Sequence, residues 1–479
     1  MSNDASTAVQ LTRVLARTDV LALAFGAMIG WGWIVLTGSW IQSAGSLGAI
    51  TAFLLGGLII VLVGLTYAEL ASAMPKVGGE HVYSYRALGH FASFLCTWAI
   101  TLGYVSVVAF EAVALPTVVE HLFPNYAVGH LWTLADWDVK ATWVAVGVMG
   151  SLIMMTINYV GIRTAALVQK LVTLLILAVG ILFITGALFE GSTATMEPLF
   201  SIEEGVMGGI MAVIIMVPFM FVGFDVIPQA AEEIDLPFRE IGRVLMISVI
   251  LAVFWYALII LGTSLMLNPE ALSKSSLAVP DAMQAVFQAP WAGNLMILAG
   301  IAGIITSWNA FYIGGSRAIY ALAHSGMLPA FLGKLHPRYR TPTNAILLIG
   351  ALSSLAPLLG RSALVWLVVA GGLGIVIAYL FVSLSFLVLR HREPDMPRPF
   401  KVRHGKLVGI LAVVLSLFLA GLYLPGSPSA LSALEWGIVA GWMILGLGLY
   451  AWSRFHYGLD YSKRMMQEEM AGDSVYPGR

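Results

Sequence analysis

GAMIGWGWIVLTG, residues 26–38, sets four glycines and two tryptophans in the middle of what reads as the first membrane-crossing segment. Glycine weakens a helix, and tryptophan favours the bilayer surface over its centre. The stretch admits three readings: a packing seam, a hinge, or a helix broken around a ligand.

Composition establishes that lipid is part of the solvent. Of 479 residues, 59% are hydrophobic and 11% charged, against roughly 25% charged in soluble domains. A net charge of −1 gives no ground for a nucleic-acid partner. The single cysteine, Cys96, excludes an internal disulfide and a cysteine-rich metal site, and is expected to pack as a small hydrophobe. The polar start of the chain carries Arg13 and Arg17. The run that follows has full span length, unlike the short apolar core of a cleavable leader.

Apolar runs of about 20 residues predict twelve spans, near 19–44, 47–73, 91–119, 141–160, 165–189, 207–231, 242–267, 291–322, 344–360, 363–389, 407–425 and 434–453. With the N-terminus inside, every Lys and Arg except Lys140, Lys274 and Arg361 falls on the cytoplasmic side, the bias expected of inner loops. Both termini, residues 1–18 and 454–479, are therefore expected in the cytoplasm. The longest outer loops, about 120–140 and 268–290, are expected to carry short helices over the outer entrance.

Helix breakers recur in span 6, where VPFMFVGFDVIP (217–228) contributes Pro218, Gly223 and Pro228. The two disrupted spans are five apart, an odd number, so a second five-span unit would start on the opposite face. That spacing is the sign of inverted repeats whose broken helices meet at mid-membrane around a substrate, here 19–189 and 207–389, with 407–453 appended. The alternative is close helix packing through small residues. A broken helix exposes amide N–H groups on one side and carbonyls on the other, a pairing suited to a carboxylate and an ammonium.

Ionisable residues inside spans are few and each needs a reason. Asp225 follows the span 6 break, and Glu111 lies deep in span 3; either is suited to carry a proton or to hold a cationic amine. Asp19 reads as a helix N-cap, Glu69 as structural near Lys76, and Glu232 and Glu233 as solvated helix-ending residues. No enzymatic constellation competes: the nine histidines fall in or near loops without HExxH spacing, and no GxxxxGK[ST] loop is present. GVMGG (205–209) carries no nucleotide fingerprint. A receptor or nutrient sensor would want a signalling segment, which the tail lacks. A channel would want a continuous polar stripe.

Six ordered blocks resemble the amino acid–polyamine–organocation permeases: GAMIGWG (26–32), ELASAMPKVGGEHVYSYRALG (69–89), NYVGIRTAALVQKLVT (158–173), FVGFDVIPQAAEEIDLP (221–237), GGSRAIYALAHSGMLPAFLGKLHPRYRTP (314–342) and REPDMPRPFKV (392–402). The resemblance implies an all-α membrane protein of the leucine-transporter type, with twelve helices in a five-plus-five inverted repeat, helices 1 and 6 broken, and spans 11 and 12 appended. It implies secondary active transport of a small amino acid or amine across a bacterial cytoplasmic membrane, by a monomer or homodimer with no cofactor beyond a coupling Na⁺ or H⁺.

By position, the resemblance places substrate on Met28, Ile29, Gly30, Trp31 and Gly32 of span 1 and on Phe219, Val222 and Gly223 of span 6. The carboxylate would meet amides at 30–32 and the ammonium carbonyls near 28, 219 and 222. Phe219 falls on the aromatic gate, and Asp225 on an acidic position that is usually Glu. Trp31 departs from the family, where that position is small and commonly Ser. Proton-coupled relatives often carry a lysine three residues after the span 5 threonine; here Thr173 is followed at that spacing by Ile176, while Lys170 is a turn early and is expected to snorkel. Thr306 and Ser307 form a hydroxyl pair where sodium-coupled relatives bind their ion. Sodium and proton coupling both stay open. The alternative substrate is an amine, a polyamine or an ethanolamine-like cation, recognised by Glu111 or Asp225.

Overall fold

The structure, a computed structural model, describes residues 11, 13–135, 137–427, 430–458 and 465, without the side chains of 162 and 163. The first ten residues and nearly all of the tail beyond 458 lie outside the described residues. The interrupted first span is α1 (Arg17–Met28), α2 (Gly32–Val35) and α3 (Thr37–Ala44), followed by α4 (Ser46–Ala73), α5 (Glu80–Leu88) and α6 (His90–Leu122). After α7 (Ala141–Val160) and α8 (Ile162–Glu190), a second interrupted segment comprises α9 (Gly205–Ile214), α10 (Val217–Phe221) and α11 (Val226–Gln229). Next come α12 (Phe238–Met266), α13 (Pro269–Lys274), α14 (Ala278–Phe287), α15 (Pro290–His324) and α16 (Thr343–Leu355). The chain ends with α17 (Ala363–Arg392), α18 (Gly405–Leu422) and α19 (Ala433–Tyr457).

Among the described residues, ten helices are long and apolar enough to cross a membrane, α1 and α2 counting together. Two of the twelve expected segments fall short for a local reason. Residues 207–231 are cut into three pieces around Pro218 and the 222–225 stretch, and α16 gives way to a 3₁₀ turn, Ala356–Leu359, that contains Pro357. Proline removes a donor and crowds the preceding turn.

The two long loops expected on the outer face differ from each other. Residues 268–290 form α13 and α14, as expected, with the Asn268 side chain capping α13. Beyond the end of α6 at Leu122, the described residues of 123–140 hold no helix. His130–Leu134 and Trp137–Lys140 pair as an antiparallel hairpin, the only sheet among the described residues. Its alternation of Leu, Trp, Thr and Val suits strands better than helices.

α6 and α15 are the enclosed helices, with 89% and 83% of their apolar windows buried, against 33% for α8. α8 instead turns Leu167, Leu171, Leu174 and Ile181 outward, a continuous apolar face at helical spacing that only lipid can cover. α6 packs against α15 and α17 and so brings Glu111 and Tyr104 to the centre of the molecule.

Candidate functional site

The two interruptions lie against each other. α1 stops at Met28 and α2 starts at Gly32, leaving 29–31 between the helices, with the Ile29 amide still donating to Gly26 and the Trp31 carbonyl accepting from Ile34 and Val35. On the facing segment Val222 is extended (ψ 137°) and Gly223 takes φ +138°. A side chain at Gly223 would lie 2.6 Å from Ala27 Cβ and 2.9 Å from the Met28 nitrogen. Glycine alone satisfies both the dihedral and the approach. Tyr256 of α12 ties the pair: its hydroxyl donates to the Met28 carbonyl at 2.7 Å and lies 3.3 Å from that of Met220.

A small cavity of about 20 Å³ lies at this junction, room for roughly one water molecule. It is lined by Met28, Gly30, Trp31 and Gly32 from the first break, Phe219 and Met220 from α10, Phe110 and Glu111 from α6, and Ser307 and Phe311 from α15. Five of the expected binding residues thus share one cavity. Ile29, Val222 and Gly223 do not line it. The Ile29 and Gly30 carbonyls lie instead against Gly303 of α15, within 3.0 and 2.6 Å of where a side chain would start.

Glu111 is 1% exposed and presses on the first break. Its Oε1 lies 2.6 Å, and Ser307 Oγ 2.9 Å, from the position a side chain on Gly30 would occupy. The carboxyl lies beside the Trp31 backbone amide and the Ser307 hydroxyl. Its other oxygen, Oε2, has no partner. Glu111 therefore lies beside an amide that the family resemblance assigns to a substrate carboxylate.

The Trp31 indole packs on α15, its Cζ3 2.2 Å from where a Gly300 side chain would begin. Trp31 also borders a second cavity of about 130 Å³, lined by Thr117, Glu120, His121, Ser276, Leu277 and Arg361, and so contributes to both spaces. Phe219, the expected gate, meets Phe110 edge-on with centroids 5.8 Å apart.

Asp225 is fully buried. Its Oδ1 accepts from the Gly223 amide at 2.6 Å and its Oδ2 from the Tyr104 hydroxyl at 2.5 Å, so it holds the second break in shape. Thr306 and Ser307 do not act as a pair: Thr306 donates to Gly303 within its own helix at 2.9 Å, and Ser307 turns to Glu111. Near Thr306, the Ala22 carbonyl of α1 accepts from Gln169 Nε2 at 3.2 Å and from Thr173 Oγ1 at 3.4 Å. Asn309 Nδ2 donates to Gln169 Oε1 at 2.9 Å, which fixes the amide's orientation.

The start of the first broken segment and the end of the second are strapped together. Leu15 and Ile234 form a parallel bridge, with Val14 and Leu15 donating to the Glu233 carbonyl. Glu233 is not the solvated group its sequence position suggested. It is 1% exposed and in a two-pronged ion pair with Arg317 of α15, 84 residues away and invisible to local pattern. Glu69 is structural, but its partners are Arg390 (2.5 Å) and Arg398 (3.0 Å) rather than Lys76. Asp19 is not the N-cap of α1, which is Ala16, but lies in the first turn and accepts from the Ala16 amide, and Lys170 reaches its carboxylate at 3.6 Å. Tyr104, Gln169, Tyr256, Asn309 and Arg317 were not singled out in the sequence. The two amides and the arginine carried a signal, as polar groups within apolar runs; the tyrosines carried none.

Residues 15–449 match the family described as Amino acid permease. The chain belongs to this amino acid permease family. It is 27% identical to the branched-chain amino acid permease BcaP of Bacillus subtilis (strain 168), over 95% of this chain and 94% of that one. It is 26% identical to the methylthioribose transporter of the same organism, over 93% and 94%. It is also 26% identical to that organism's aspartate-proton symporter, over 84% of this chain and 77% of the other. The permease is thus an integral membrane transporter and not an enzyme.

Proposed function

We propose that this permease is a secondary active transporter that moves a small amino acid across the bacterial cytoplasmic membrane by alternating access, with both termini in the cytoplasm. The observation that carries this reading is the abutment of Gly223 on Ala27 and Met28 beside a cavity lined by Gly30, Trp31 and Phe219. Non-helical backbone at mid-membrane is tolerated only where it borders a cavity or is buried in protein, and two such stretches meeting is the arrangement of substrate sites in transporters built from inverted repeats. On this reading residues 19–189 and 207–389 are the two repeats, 407–453 adds two further spans, and the short segments 207–231 and 344–360 complete twelve crossings. Room for one water describes a closed site, which must widen to admit an amino acid.

For the driving ion, Gln169 bears on sodium. An amide nitrogen already donating to the Ala22 carbonyl leaves one fewer oxygen free for a cation, and hard cations need several. Exchange or proton coupling is therefore the better-supported mode. A second substrate reading, an amine or polyamine, is favoured by Glu111: a buried carboxyl beside the Trp31 amide, with its Oε2 unpartnered, can pass its proton on and hold an arriving ammonium.

The test is uptake into proteoliposomes of labelled amino acids and amines under imposed Na⁺ or H⁺ gradients. Saturable uptake of a small amino acid supports the first reading, uptake confined to amines the second. Ligand binding without flux would remove both in favour of a sensor.

A further inference from the structure

Buried carboxylates of this molecule mostly have arginine partners: Glu233 has Arg317, and Glu69 has Arg390 and Arg398. Glu80 does not. It opens α5, between α4 and α6, is fully buried, and sits where α5 packs on the end of the second broken segment. Gly79 leaves 2.7 Å between its would-be side chain and Pro228 Cβ, and the Gly78 amide points at the Gln229 carbonyl. Gln229 donates its side-chain amide to Glu80 Oε2. Oε1 has no partner.

The titratable groups facing Glu80 are Asp225, Tyr67, Tyr83, Tyr104, Tyr379 and Cys96, and none is cationic. The adjacent His81 is no exception. Its Nδ1 pairs with Ser93 Oγ at 2.9 Å, its Nε2 has no partner, and burial pushes it down to about 3, so it is neutral. A buried carboxylate with no positive partner and an unpartnered oxygen is far costlier than its protonated form. Burial, then the nearby Asp225, push the Glu80 carboxyl well above its usual range. The hydroxyls of Tyr83 and Tyr379 are likewise buried without partners, and that of Tyr67 lies beside the Glu80 carboxyl, so the interior around Glu80 has spare hydrogen-bonding capacity.

We propose that Glu80, buried against Gln229 and Pro228 beside Asp225, is the inner proton-release site of the transporter and that its protonation holds the inner gate closed. The proposal rests on the transport reading and its orientation above. When α5 and α11 part, water reaches Oε1, the proton passes from the carboxyl to a water molecule, and Glu80 remains as a solvated carboxylate. Reclosing requires a proton to return. The sign follows from linkage: the closed state binds the proton more tightly, so lowering cytoplasmic pH stabilises closure and raising it favours opening.

Two measurements on the full-length reconstituted protein test this. Infrared difference spectroscopy reads the protonated-carboxyl band directly and needs no substrate. At neutral pH the wild type is expected to show a band that Glu80→Gln removes and Glu80→Asp shifts. An unchanged band in both variants overturns the proposal. Counterflow of labelled alanine, leucine, arginine and putrescine is then followed as the internal pH is raised. Wild-type flux is expected to rise while the Glu80→Gln ratio stays at about one, as linkage requires of a gate without its titrating group. A wild-type pH profile in Glu80→Gln overturns the proposal. Absence of counterflow for every probe in the wild type defeats the transport reading instead, and the infrared band still decides whether Glu80 holds a proton.

Discussion

Arg317 holds Glu233 through two parallel contacts, Nε to Oε2 at 2.9 Å and Nη2 to Oε1 at 3.0 Å, with both side chains 1% exposed. Bidentate geometry makes this the strongest class of ion pair. Burial makes it dangerous to break, because the surviving partner is left as an unpaired charge. The pair joins α15 to the end of the second broken segment, where Val14 and Leu15 also bind the Glu233 backbone.

Arg317→Met is expected to destabilise the closed state by about 3–5 kcal/mol, the range for removing one partner of a buried pair. Arg317→Met with Glu233→Leu removes both charges and should recover much of that loss. Thermal melts in detergent read both variants. Equal melting of Arg317→Met and wild type would show the pair to be dispensable.

Gly223→Ala puts a methyl group 2.6 Å from Ala27 Cβ on a residue at φ +138°. It should force the two breaks apart, with transport lost while the protein still inserts. Retention of wild-type uptake would mean that the breaks separate without consequence for the site.

Trp31→Ser removes an indole that borders both the central cavity and the second one. The enlarged space should admit larger substrates and change selectivity across an amino acid panel. An unaltered panel would leave the indole as packing on Gly300 alone.

Glu111→Gln separates the two substrate readings. Amine uptake should collapse, because the one ionisable acidic side chain lining the central cavity can no longer supply a carboxylate to an ammonium. Uptake of a zwitterionic amino acid should persist or improve, since its carboxylate no longer competes for the Trp31 amide.

Thr306→Ala with Ser307→Ala tests the ion. With Thr306 bonded within its own helix and Gln169 on the Ala22 carbonyl, uptake should show no sodium dependence for the double variant to abolish. Sodium stimulation lost on double substitution would restore the hydroxyl pair as a cation site.

Both interruptions were legible in the sequence because glycine and proline act locally, through the dihedrals and donors of their own turns. The partners those turns acquire were not legible. Tyr256 reaches Met28 across 228 residues and Tyr104 reaches Asp225 across 121. Nothing near either tyrosine marks it as more than an apolar-face aromatic. Glu80 was hidden by its place in a loop-like stretch, GGEHVYS, where an acidic residue reads as solvated until α5 is seen packed under Pro228. Asp19 needed no tertiary context for its bond to the Ala16 amide, which forms within the first turn of α1, although the cap itself is Ala16.

The most direct test of the central claim is counterflow of labelled small amino acids and amines in proteoliposomes, wild type beside Gly223→Ala. The expected result is saturable counterflow of at least one small substrate by the wild type and none by Gly223→Ala at equal insertion. Binding without counterflow, or counterflow that Gly223→Ala leaves intact, would contradict a substrate site built where the two broken helices meet.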